Sequence, residues 1–246
     1  MCKLMLCALL LVPASVLAQS PSGTIAEVNV TTPKPGMTAQ WEAGRKEHSA
    51  YHAAQKDNRP VLVWQIVTGE YTGSYVTVVA GMHWSDIDAH EAFDKADEAE
   101  VAKSILPYSA SNMMSYYTFR DDLSLTKESA PAKMSTITTF TVLPGHGQEF
   151  IETVKKINEG IKKSNYPVKP SRWYSLANGG DGPTFVLVID RANYAAMETP
   201  EKTLDDSLKE VYGDAGAQLQ SQLSRNCSKI TTELDVYRPD LSYVPQ

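Results

Sequence analysis

"YYTFRDDLS" (116–124) and "LDVYRPDLS" (234–242) close two segments of the chain in nearly the same way. Each runs from an aromatic through an arginine to Asp-Leu-Ser, with Arg120 matching Arg238 and Leu123 matching Leu241 at an offset of 118. Other matches precede this one in order. Pro35-Gly36 has a counterpart in Pro144-Gly145, Trp41 in Phe150 and Trp64 in Trp173, each 109 residues on. At the same offset "YVTVV" (75–79) falls on "TFVLV" (184–188). An ordered series at one spacing is the signature of a tandem duplication. The step from 109 to 118 is read as one insertion, placed in a long second helix of the later half.

Both halves carry the same element pattern. Alternating or β-branched runs mark strands at "IAEVNV", "VLVWQIVT", "SYVTVVAGM" and "MMSYYTF", then at "MSTITTFTV", "SRWYSLA", "TFVLVID" and "TTELDVY". A helix follows each Pro-Gly. A second helix separates the third and fourth strands, opened in the first half by Ser85 with Asp88 three residues on, as in a capping box. The order βαββαβ is the ferredoxin-like unit. The fold class is therefore α+β, with two tandem repeats over residues 19–125 and 126–246. Each sheet has helices on one face only, and two such sheets bury their bare faces against each other.

"VLPGHGQEFIETV" (142–154) resembles the strand, Pro-Gly and aromatic-bearing helix entry of the dimeric α/β-barrel superfamily. "AGMHWSDIDAHEAF" (80–93) is similar to that superfamily's strand, Trp, short acidic cap and Ala-rich helix. The superfamily includes antibiotic-biosynthesis-type monooxygenases, haem-degrading enzymes and stress-response barrels. The resemblance implies a pseudo-dimeric α/β barrel made by one chain. It does not carry over haem chemistry, because no Asn stands at the matching helix position beside Trp and His.

The first 18 residues read as an export signal: Lys3, the apolar run "LMLCALLLVPASV" and a small residue, Ala18, before Gln19. The run is too short for a comfortable membrane span. The expectation is an exported chain, periplasmic or secreted, without a membrane partner after cleavage. Lys+Arg number 23 and Asp+Glu 29, a net charge of −6 that becomes −7 once Lys3 is removed. An acidic chain is a poor partner for nucleic acid. Of three cysteines only Cys227 lies beyond the signal, so no intramolecular disulfide is expected.

The informative residues are those where the repeats disagree. Phe150, Val154, Ile157 and Ile161 form an apolar stripe on the first helix of the second repeat. Their counterparts are Trp41, Arg45, His48 and His52. Burying an arginine and two histidines costs several kcal/mol, roughly, unless they are paired or hydrated. Two arrangements answer this. In one, a polar ligand cleft lies between the helix and the sheet. In the other, the helix is rotated so that Met37, Trp41, Gly44, His48, Tyr51 and Gln55 face inward, with Arg45 and His52 at the edge. His48 points inward in both.

The functional reading is a binding protein for a small aromatic or acidic molecule, with Trp41, Arg45, Tyr51 and His52 as ligand contacts. The alternative is a cofactor-independent monooxygenase-like enzyme with His48 as proton acceptor. Neither a cofactor nor a metal is assigned. His48 and His52 have a spacing that can share an ion, and His83 could join them, but His-Glu-x-x-His is absent. The run "DKADEAE" (94–100) reads as a solvated helix face, and oligomeric state is left open.

Overall fold

The β-branched runs become strands that close on themselves, and the closure joins the two repeats. The computed structural model describes residues 24–127, 130–164, 166–167 and 169–245. The expected signal, residues 1–18, lies outside them. The first repeat comprises β1 (Ile25–Pro33), α1 (Thr38–Gln55), β2 (Leu62–Ile66), β3 (Tyr75–Met82), α2 (Trp84–Ser104) and β4 (Ser109–Phe119). The second comprises β5 (Met134–Val142), α3 (Gly147–Lys163), β6 (Ser171–Asn178), β7 (Thr184–Arg191), α4 (Leu204–Tyr212), α5 (Leu219–Arg225) and β8 (Cys227–Tyr237). The strands form one closed barrel in the order β1-β3-β2-β8-β5-β7-β6-β4. Each repeat contributes four neighbouring strands. The seams are β2–β8, where Trp64 faces Tyr237, and β4–β6, where Phe119 faces Tyr174. Two tandem ferredoxin-like repeats thus make a pseudo-dimeric α/β barrel.

Strand register corrects one part of the repeat alignment. Val28 pairs with Val78, and Ile137 with Val188, so the offset is 109 at the first strand of each repeat but 110 at the third. Leu62 faces Val78 and Arg172 faces Val188, so β2 and β6 also match at 110. The counterpart of Trp64 is therefore Tyr174, and that of Trp173 is Val63. A slip of one residue exchanges the two faces of a strand. Trp64 lines the barrel interior, whereas Trp173 packs outward in the cluster of Leu123, Phe140, Val142, Phe150, Val154 and Phe185.

The extra length is divided accordingly: one residue between α1 and β2, the rest between β7 and β8. There the single long helix expected from sequence is broken into 3-10 turns at Tyr194–Met197 and Gly213–Gln218 and the helices α4 and α5. Thr203 caps α4, its Oγ1 accepting from the Asp206 N–H at 3.1 Å. Gly213 then ends the helix at φ 64°, a backbone conformation that side chains with a Cβ rarely adopt. The cap of α2 is also displaced from its expected place, for the His83 N–H donates to Asp86 at 2.7 Å, two residues before Ser85 and Asp88.

The repeated Arg-x-Asp-Leu-Ser segments cross between repeats. The Arg120 N–H donates to the Trp173 carbonyl and the Arg238 N–H to the Val63 carbonyl, both at 2.8 Å. Ser124 Oγ accepts from the Trp173 N–H, and Ser242 Oγ from the Val63 N–H, both at 2.9 Å. Leu123 and Leu241 are then sealed at 0% exposure, each in the helix–sheet core of the other repeat. Each arginine holds its own turn, Arg120 with Asp122 and Arg238 with Asp240, and lies over an aromatic ring, Phe185 or Tyr75.

Candidate functional site

The polar stripe of α1 is buried as a whole. Trp41, Arg45, His48 and His52 are between 1% and 3% exposed, so the first of the two helix orientations is the one adopted. Trp41 stacks on Tyr75 with ring centroids 4.2 Å apart, inside the apolar cluster with Val63, Ile105 and Leu241. Tyr51 is half-buried and stacks on His48. Arg45 Nε donates to the Leu241 carbonyl at 3.2 Å, which ties α1 to the crossing segment of the second repeat.

Helices α1 and α2 nearly touch at Gly44. A Cβ there would lie 1.8 Å from the Ser104 carbonyl oxygen, so only glycine permits this approach. The contact brings Asp97 of α2 onto the histidines. His48 Nε2 and His52 Nε2 are 3.1 Å apart, and Asp97 Oδ1 lies 3.3 Å from the first and 3.2 Å from the second. Behind them His52 Nδ1 bonds Asp57 Oδ2 at 2.9 Å. Arg59 reaches Asp57 at 3.3 Å and Asp94 at 2.9 Å.

Burial sets the protonation of this cluster. It pushes His48 down to about 2, with the charges of Arg45 and His52 adding to the effect. It lowers His52 as well, against the opposing bond to Asp57. It raises Asp97 to about 6, although Arg45 and Arg59 pull the other way. Both imidazoles are therefore neutral at pH 7. His83 is exposed and lies outside the cluster. The acidic run 94–100 is not simply a solvated face, since Asp94 and Asp97 serve the buried stripe. Their signal was the stripe itself: buried cations and imidazoles need carboxylates from the helix packed on them.

The larger cavity lies elsewhere. The barrel interior holds a cavity of about 570 Å³, and none of Trp41, Arg45, His48, Tyr51 or His52 lines it. Strands β1, β3, β5 and β7 turn Val28, Val78, Ile137, Val186 and Val188 into it. The strands between those pairs contribute Trp64, Tyr117, Arg172, Glu233 and Asp235. Asp235 is 5% exposed, and its Oδ1 has no hydrogen-bond partner. Burial first and then Glu233 raise it to about 8, while burial and Glu70 raise Glu233 to about 7. The cavity reaches the surface past Glu70, Tyr71, Met113 and Lys229. A second cavity of about 390 Å³ lies under α3 in the second repeat, lined by Phe140, Val154, Ile157 and Trp173. The cleft expected under α1 is filled instead by Asp57, Asp97 and the Leu241 carbonyl, and the space sits in the barrel.

Sequence reasoning missed Glu233 and Asp235 because "TTELDVY" reads as an ordinary strand. The alternation does place both on one face. Which face turned inward was decided only by closure of the barrel.

No protein-family model matches the chain, and no curated protein matches it in sequence. Solved structures do match it. A monooxygenase candidate from Lactobacillus acidophilus NCFM superposes with a TM-score of 0.57 at 9% identity, covering 91% of this chain and 97% of that one. An anthrone oxidase-like protein gives 0.59 at 10% identity, covering 90% and 94%. A mutant chlorite dismutase from Candidatus Nitrospira defluvii gives 0.54 at 10% identity, covering 89% and 93%. At such identities the likeness is one of fold. The chain has the fold of the dimeric, ferredoxin-like α/β-barrel proteins, with both halves of the barrel carried in a single polypeptide.

Proposed function

We propose that the protein is an exported barrel that binds a small, mainly apolar and uncharged molecule in the barrel interior. The observation that carries this reading is the cavity of about 570 Å³, whose lining mixes aliphatic side chains with aromatic and polar ones. Its size and composition are those of small-molecule sites. The lining combines Glu233 and Asp235 with Arg172 and Lys229 beside the rings of Trp64, Tyr117 and Tyr174, and of the two classes anticipated from sequence the aromatic one suits it better. A protonated Asp235 offers an O–H to a ligand carbonyl or phenol, and Trp64 and Tyr117 offer ring faces. Export rests on the pattern of residues 1–18 alone.

A second reading is catalytic and rests on the unpartnered Oδ1 of Asp235. A carboxyl held near 8 in an apolar chamber exchanges protons with a bound phenol or anthrone at moderately alkaline pH. Neighbours of this fold include a monooxygenase candidate and an anthrone oxidase-like protein, which favours such a substrate class. In this reading Asp235 replaces His48 as proton acceptor, because His48 is sealed among polar partners away from the cavity. The test is a thermal-shift panel of quinols and anthrones, followed by oxygen uptake with each binder. Binding without uptake supports the first reading, and uptake abolished in Asp235→Asn supports the second. No binder in wild type, or equal binding when the barrel is filled by Val188→Phe, contradicts both.

A further inference from the structure

We infer that His48, His52 and Asp97 form a site for one divalent first-row transition-metal ion, separate from the barrel cavity. Three potential ligand atoms converge between α1 and α2. His48 Nε2, His52 Nε2 and Asp97 Oδ1 make a nearly equilateral triangle with edges of 3.1, 3.2 and 3.3 Å. Metal bonds of about 2.0–2.1 Å in a tetrahedral site require edges of about 3.3 Å between ligands. The triangle is thus the right size for one face of such a site, with its fourth position open.

Hydrogen bonding alone satisfies this arrangement poorly. The His52 Nδ1–H is committed to Asp57, so the Nε2 of His52 presents a lone pair to the centre of the triangle. Asp97 Oδ1 accepts no hydrogen bond. Only His48 has a proton to give, and one proton serves two converging acceptors. A cation at the centre serves all three lone pairs at once. Two histidines four apart on one helix are a known way to share an ion. The Asp57 carboxylate behind His52 is the outer partner that fixes a ligating imidazole and raises its basicity.

Charge and access agree. Arg45 and Arg59 face Asp57, Asp94 and Asp97, one carboxylate more than the arginines balance. The Asp97 side chain is 25% exposed, which leaves a route for the ion and a place for water at the open position. Two imidazoles and one carboxylate suit zinc, cobalt, nickel or iron better than magnesium or calcium. Among the described residues this is the one such cluster of His, Cys, Asp or Glu, and the matching positions of α3, Val154, Ile157 and Ile161, are aliphatic. One ion per chain is therefore expected.

The experiment uses the mature chain stripped with dipicolinate, dialysed, and titrated with Co(II) and Zn(II). Expected are one equivalent of tightly held metal by elemental analysis and visible Co(II) bands that zinc displaces. Asp97→Asn keeps the side-chain shape and should weaken affinity at least 10-fold, and Asp57→Asn, acting through His52, by 10- to 100-fold. Replacing the exposed His83 by Ala should change nothing. Circular dichroism and the melting temperature of each apo-variant separate lost binding from lost folding. Retention of less than 0.1 equivalent by the wild type, or full affinity in Asp97→Asn and in a folded His48→Gln/His52→Gln variant, would overturn the site and leave a hydrogen-bonded cluster only.

Discussion

The carbonyl of Leu241, in the last turn of the second repeat, accepts from Arg45 at 3.2 Å and from Ser49 at 2.8 Å, both on the first helix of the first repeat. Leu241 itself is fully buried between Trp41, Val63 and Tyr75. Its counterpart Leu123 occupies the same place against Phe150 and Trp173, where Asn158 donates to its carbonyl at 2.6 Å. Each repeat therefore supplies one leucine to the core of the other.

These leucines should be costly to remove. Leu241→Ala and Leu123→Ala should each destabilise the protein by about 2–5 kcal/mol, the range for a buried Leu-to-Ala change. Chemical denaturation should show one transition in both variants, since neither repeat completes its core alone. Two separate transitions would show that the repeats fold independently.

Above about pH 6.5, where the depressed His48 and His52 are neutral in the folded and unfolded chain alike, stability should fall as pH rises, and Asp235 contributes to the slope. Asp235 is raised by burial and by Glu233 to about 8 in the folded state, against an ordinary value of 3.8. Between these values the folded state binds the proton that the unfolded state has released. The contribution is thus fully present below the unfolded pKa and is lost as pH rises through the folded one, by at most about 1.4 kcal/mol per pH unit. Asp235→Asn removes this ionisation. Its advantage over wild type in urea melts should grow from pH 5 to pH 8. An unchanged difference across that window would show that Asp235 ionises normally.

The close contact of α1 and α2 rests on a missing side chain. Gly44→Ala puts a methyl group onto the Ser104 carbonyl and should cost about 1–3 kcal/mol through overpacking. By parting the helices it should also draw Asp97 away from His48 and His52, lowering Co(II) affinity. Gly147→Ala, at a position with nothing within 4 Å of the added carbon, is the control and should do neither.

The duplication and the strand set were legible in the residues, because periodicity and the two copies carry that information directly. The polar stripe of α1 was visible, but the residues alone leave its full burial open between two helix orientations. The one-residue slip at Trp64 was not legible. Two tryptophans at a constant spacing look equivalent, and only the ladders show that one faces in and the other out. The partners of the stripe were hidden for a similar reason. Asp97 sits in a run of acidic residues whose neighbours Glu91 and Lys95 are solvated, and no local pattern separates it from them. The cavity depends on closure between strands of different repeats, which is a long-range property of the chain.

The central claim is that the ligand lies in the barrel. A titration with N-phenyl-1-naphthylamine, a neutral aromatic probe, tests it most directly when followed through both probe emission and Trp64 fluorescence. The account predicts saturable one-to-one binding with quenching that is absent in Trp64→Phe, retained in His48→Gln, and abolished when Val188→Phe fills the cavity. Binding that survives Val188→Phe but is lost in His48→Gln would place the ligand beneath α1 and contradict the account.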